Sequence, residues 1–112
     1  MNHIALGIAG EKKAVKFLKK HKYKILEKNY RCALGEVDVI ARQGETLVFV
    51  EVKTRSSCLF GRPCEAVDEQ KQEKLRRLAL YYQRFKRLYN IPLRFDVVEV
   101  LDNEINLIEG AF

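Results

Sequence analysis

Gly35-Glu36-Val37-Asp38-Val39-Ile40-Ala41-Arg42-Gln43-Gly44-Glu45-Thr46-Leu47-Val48-Phe49-Val50-Glu51-Val52-Lys53 is the stretch on which the fold of this chain turns. Two runs rich in β-branched residues, 35–41 and 47–53, flank the turn-forming pair Gln43-Gly44, so the stretch predicts a hairpin. With those two residues as the loop, Asp38 faces Phe49 and Glu36 faces Glu51. One face then carries Val37, Val39, Ala41, Val48, Val50 and Val52. The other mixes Ile40, Leu47 and Phe49 with Glu36, Asp38, Glu51 and Lys53. A slip of one residue would scatter the valines over both faces, so the apolar face argues for this register.

On the N-terminal side, Ile4, Ile8, Val15 and Leu18 recur at helical spacing with lysines opposite, which predicts an amphipathic helix from about Ile4 to His21. Glu11 lies on that same stripe, a carboxylate where the pattern calls for an apolar side chain. Residues 23–30 read as a Lys-rich strand leading into the hairpin. On the C-terminal side, Ser56 to Pro63 is a loop, and Val67, Leu75, Leu78, Tyr82, Phe85 and Tyr89 form a second helical stripe capped near Asp68. Lys71 interrupts this stripe between Val67 and Leu75. Asn90 to Pro92 ends the helix, and strands follow at 94–101 and 105–108. The fold class is therefore α/β in the order αβββαββ, with one sheet flanked by helices burying the valine face and both stripes in a single domain over 1–112.

The 112 residues include 21 Lys and Arg against 15 Asp and Glu, a formal charge of +6 and a pI near 9.3, which favours polyanionic partners without singling one out. Cys32, Cys58 and Cys64 are odd in number and form no CxxC pair, so neither a disulfide framework nor a zinc site is suggested. No apolar run approaches the roughly 20 residues that cross a bilayer. A cytoplasmic protein with no membrane partner is the expectation.

Glu51 and Lys53 leave one strand on the same face, with Cα atoms about 6.6 Å apart. Asp38 lies diagonally across from Glu51 in the expected register, at roughly 7–8 Å between backbones, a gap that two carboxylates can close around a cation. Oxygen donors of this kind suit Mg²⁺ or Mn²⁺, which complete their shells with water and substrate phosphate. Such a centre supports phosphodiester hydrolysis, with Lys53 either stabilising developing charge or handling the attacking water. Taken alone, Glu51-Val52-Lys53 is a weak signal that favours a simple exposed surface pair. Asp38 on the same face and Glu11 in a core-facing position shift the balance toward a site. Glu36 stands either near the cation or as the polar start of the hairpin, and Arg55 meets phosphate or solvent.

Gly35-Glu36-Val37-Asp38 followed by Phe49-Val50-Glu51-Val52-Lys53-Thr54-Arg55 resembles the signature of the YraN-like family of bacterial proteins. Gly10-Glu11, Asn29-Tyr30-Arg31, Phe60-Gly61-Arg62-Pro63, Lys71, Arg94-Phe95-Asp96-Val97-Val98 and Ala111-Phe112 carry the resemblance over nearly the whole chain. That family is similar to Holliday-junction resolvases, which implies a restriction-endonuclease-like mixed sheet. The resemblance makes Asp38, Glu51 and Lys53 the PD-(D/E)xK residues, Glu11 a further acid and metal ligand, and Lys71 an accessory residue. The proline of that motif is absent here, since Glu36-Val37 precedes Asp38. The activity implied is a Mg²⁺- or Mn²⁺-dependent endonuclease on DNA rather than RNA, including branched or damaged DNA, with Arg31, Arg55, Arg62, Lys71 and Lys74 meeting nucleic acid. By analogy with resolvases a homodimer would pair two strand cuts. The alternative is a non-catalytic nucleic-acid-binding module on the same fold, and a third reading is a scaffold whose acids are incidental.

Overall fold

The computed structural model describes residues 3–55, 67–102 and 104–112. The loop expected at 56–63, with Cys58, Cys64 and the Arg62 expectation nearby, lies outside the described residues, as does the side chain of Arg55. The elements follow the expected order: α1 His3–Lys20, β1 Lys24–Cys32, β2 Gly35–Gln43, β3 Thr46–Arg55, α2 Glu69–Phe85, β4 Leu93–Leu101 and β5 Glu104–Ile108. The five strands form one sheet in sequential order, antiparallel except for the parallel pair β3 and β4, which α2 connects. Among the described residues, no helix is long and apolar enough to cross a membrane.

The helices cover opposite faces of the sheet. On the α1 side Ala14, Leu18 and Tyr23 pack on Val39, Ala41, Val48, Val50, Val98 and Val100. On the α2 side Leu75, Leu78, Ala79 and Tyr82 pack on Val37, Ile40, Leu47, Phe49, Phe95 and Val97. Both helices stop in the same way. Lys22 (φ 67°) and Arg87 (φ 55°) take the left-handed conformation, and the next residue's N–H reaches back to Leu18 O at 3.0 Å and to Gln83 O at 2.8 Å. The start of α2 is fixed by Asp68, whose carboxylate accepts from Lys71 N at 2.8 Å.

Three expectations are corrected. The hairpin loop is Gly44-Glu45, with Gln43 opposite Thr46, because Gly44 supplies the positive φ (59°) at the first loop position that primed turns use. Phe49 therefore faces Ile40 rather than Asp38. The displacement is two residues, so Val39, Ala41, Val48 and Val50 keep their face, but Val37 joins the α2 side. On α1, the buried residues among the described side chains are Gly10, Ala14 and Leu18, while Ile8 is 52% exposed and the half-buried Glu11 sits on the helix flank instead of pointing at the core. On α2, the turn at Arg87 ends the helix before Tyr89, and Phe85 and Tyr89 stay outside the core.

One buried polar cluster clamps the end of the sheet away from Lys53. Asp96, with no exposed surface, accepts from Tyr23 Oη at 2.8 Å, from Gly110 N at 3.0 Å, and from Arg94 Nε and an Arg94 terminal nitrogen at 2.9 and 3.0 Å. The same Arg94 nitrogen donates to Gln43 Oε1 at 2.7 Å. Every polar group of this cluster has a partner, so removing the acid strands a half-buried guanidinium. Asp96→Ala is expected to lose about 3–5 kcal/mol in urea unfolding, with a change below about 1 kcal/mol arguing against a clamp.

Candidate active site at the parting of two strands

The ladder between β2 and β3 reaches Val39 and Val50. Past that point the face alternation of β2 breaks between Val37 and Val39, and on the adjoining strand Asn29 is left-handed at φ 52°. Asp38 sits at this break. Its Oδ2 accepts the Val52 N–H at 2.8 Å, standing in for a backbone acceptor in the ladder. A side chain that completes a ladder is held in place by the fold, and here it is held beside Glu51.

Glu51 is only 3% exposed, and its Oε1 has no hydrogen-bond partner. Oε2 faces Lys71 Nζ at 3.2 Å. Burial first, then the neighbouring Asp38 carboxylate, pushes the Glu51 pKa up to about 7, against the pull of Lys71. For Lys71, burial works to lower the pKa, but Glu51, and after it Asp38 and Glu36, outweigh burial and raise it. The ammonium thus stays charged and serves as internal counter-ion. Lys53 follows two residues after Glu51 on the same side of β3, half-buried, with Glu99 of β4 as its ladder neighbour.

Glu11 approaches Asp38 from α1. The approach depends on Gly10, where a Cβ would collide with the Thr54 side chain, so only glycine lets α1 lie this close to β3. With its amide turned to donate, Asn29 lies 3.3 and 3.2 Å from the two Glu11 carboxylate oxygens. Burial, then Asp38, raises the Glu11 pKa, while Asn29 lowers it.

Asp38 and Glu51 are therefore brought together, Lys71 pairs with Glu51, and Glu11 stands on the other flank of Asp38, while Lys53 shares their strand face with no ion pair to either acid among the described residues. Glu36 is tied to Arg31 at 3.0 Å on the exposed rim, so that arginine has a local partner. Lys74 is exposed in a cleft of about 330 Å³ with Glu36 and Lys71. Cys32 is a free, half-buried thiol. Asn29 carries a role that sequence reasoning left without one, although Asn29-Tyr30-Arg31 was already part of the family resemblance. Among the described residues no three acidic, His or Cys side chains form a ready-made metal nest. Two carboxylates, one with a buried unpartnered oxygen, suit a cation that keeps several waters and takes further oxygens from a phosphate.

The family model described as uncharacterised protein family UPF0102 matches residues 10–100. A UPF0102 protein of Caldicellulosiruptor saccharolyticus is 53% identical over 118 aligned residues that cover all of both chains. One from Clostridioides difficile is 48% identical over the full length of both, and one from Moorella thermoacetica is 50% identical over 95% of this chain and 93% of its own. The matched span contains Glu11, Asp38, Glu51, Lys53 and Lys71, and the chain belongs to the UPF0102 family.

Proposed function

We propose that this protein is a divalent-cation-dependent nuclease of the restriction-endonuclease-like class that hydrolyses phosphodiester bonds, with DNA as the favoured substrate. The observation that carries the reading is Glu51 Oε1, a carboxylate oxygen buried without a partner next to a second carboxylate. Such an arrangement costs stability and returns none, which is the signature of a group kept for chemistry. Asp38 and Glu51 would hold Mg²⁺ or Mn²⁺, with Glu11 as an outer acid beside Asp38. The cation, when bound, polarises the phosphoryl oxygen and lowers the pKa of its water. Lys53 meets the charge that develops on the phosphate, and Lys71, once released from Glu51, grips a neighbouring phosphate oxygen.

The second reading, a binding module that does not cut, draws on the Lys71–Glu51 pair, which neutralises one acid without any metal. It leaves the cost of a buried Glu51 beside the half-buried Asp38 carboxylate unexplained, because acids repel the phosphates a binder must hold. Labelled duplex, single-stranded, flapped and four-way-junction DNA incubated with Mg²⁺, Mn²⁺ or EDTA separates the two. Cleavage that needs the cation and is lost in Asp38→Asn is expected. Binding to any of these DNAs without cleavage, unchanged in that variant, would move the binding module to first place.

A further inference from the structure

A groove of about 440 Å³ runs between α1 and the edge strand β1 and ends at Glu11, Asn29 and Asp38. Its rim carries Lys12, Lys16 and Lys19 from α1 and Lys28 from β1, all exposed and, among the described residues, without a carboxylate partner. Its floor includes Val15 and Val39. At 1.5 Å rise per residue, Lys12, Lys16 and Lys19 are spaced by about 6 and 4.5 Å along the helix, close enough for successive lysines to meet neighbouring phosphates of one strand. Cations along a rim above an apolar floor match a strand whose phosphates face outward and whose sugars and bases turn inward. A duplex has its bases paired away from such a floor, so the match is to one strand.

We infer that this groove binds a single nucleic-acid strand and leads it to Asp38. The inference rests on the nucleic-acid reading above and assigns it a track on the opposite side of Asp38 from Lys71 and Lys74. It explains why three lysines share the α1 flank with Glu11. Their field draws the strand in, and the acids at the groove's end admit a phosphate only when a cation offsets them.

The test is fluorescence anisotropy of a labelled single-stranded oligonucleotide, and of its duplex, in EDTA over a series of KCl concentrations. Wild type is compared with Lys12→Gln/Lys16→Gln/Lys19→Gln and with a charge-matched control, Lys20→Gln/Arg77→Gln/Arg84→Gln, all checked by circular dichroism. The groove variant is expected to lose about tenfold or more in single-strand affinity, and its log–log salt slope should fall by about two, given roughly 0.7 per contact. The preference for single strand over duplex should vanish with it and persist in the control. Equal losses in both triple variants, or a wild type that binds duplex or junction DNA but ignores single strands, would overturn the groove while leaving the nuclease standing. Groove-dependent binding with no cleavage of any substrate would remove the nuclease alone, and no binding to any nucleic acid would overturn both.

Discussion

Glu51→Gln is expected to stabilise the cation-free protein above neutral pH while abolishing its affinity for Mn²⁺. The Glu51 carboxyl titrates near 7 in the folded protein against an ordinary 4.5, raised first by burial and then by Asp38. Between those values the folded state holds a proton that the unfolded state has released, so stability falls as pH rises from about 4.5 to about 7, and the full penalty sits above 7. At 1.36 kcal/mol per unit the penalty is at most about 3 kcal/mol, and losing the Lys71 contact trims the gain on substitution to roughly 1–3 kcal/mol. Urea unfolding at about pH 5 and about pH 8 in EDTA checks this, because wild type should lose stability across that interval and the glutamine variant should not. Parallel pH dependences would show that Glu51 is not the strained group. Calorimetric titration with Mn²⁺ supplies the second half, with heat in wild type and none in the variant.

Lys53→Ala should cost about two to three orders of magnitude in single-turnover cleavage, the usual loss when a charge-stabilising donor is removed from a phosphoryl or acyl centre. Its effect on Mn²⁺ binding should stay within about twofold, since an ammonium offers a cation no ligand. The pairing of results is what discriminates. A rate loss accompanied by lost Mn²⁺ affinity would recast Lys53 as a group that shapes the acids, and an unchanged rate would transfer its role to Lys71.

The element order, the valine face of the hairpin apart from Val37, and the inner part of the α2 stripe could be read from periodicity, because apolar alternation and helical stripes are imposed by the sheet and helices that bury them. The register was displaced by two residues, since Gln43-Gly44 and Gly44-Glu45 are equally plausible loops until Gly44 is known to need a positive φ. That displacement preserves faces, which is why Asp38 and Glu51 were still placed together. The α1 face was misjudged because Gly10 and Ala14 carry little apolar weight. They are the buried residues there because smallness, not hydrophobicity, lets the helix approach Thr54. Glu11 therefore joins Asp38 from a helix flank. Neither the left-handed Asn29 nor the hydrogen bond from Val52 N to Asp38 has a linear signature, because both arise from two strands parting in space. The lysine rim was visible as helix-spaced cations, but only the position of β1 makes it one wall of a groove.

If the proposed metal site operates, the pairing of Lys71 with Glu51 bears on how folding relates to metal supply. A chain whose acids face one another without a built-in cation would depend on metal to fold, as zinc-dependent mini-domains do. Here α2 delivers the neutralising charge as soon as the helix docks, capped at Asp68 three residues before Lys71. Folding is thereby uncoupled from ion availability, and chelators should silence the protein without denaturing it. Under the proposed reading the divalent ion would be a visitor that must outcompete a tethered ammonium, so occupancy would track the ambient concentration, and scarcity would idle the activity rather than unfold the chain.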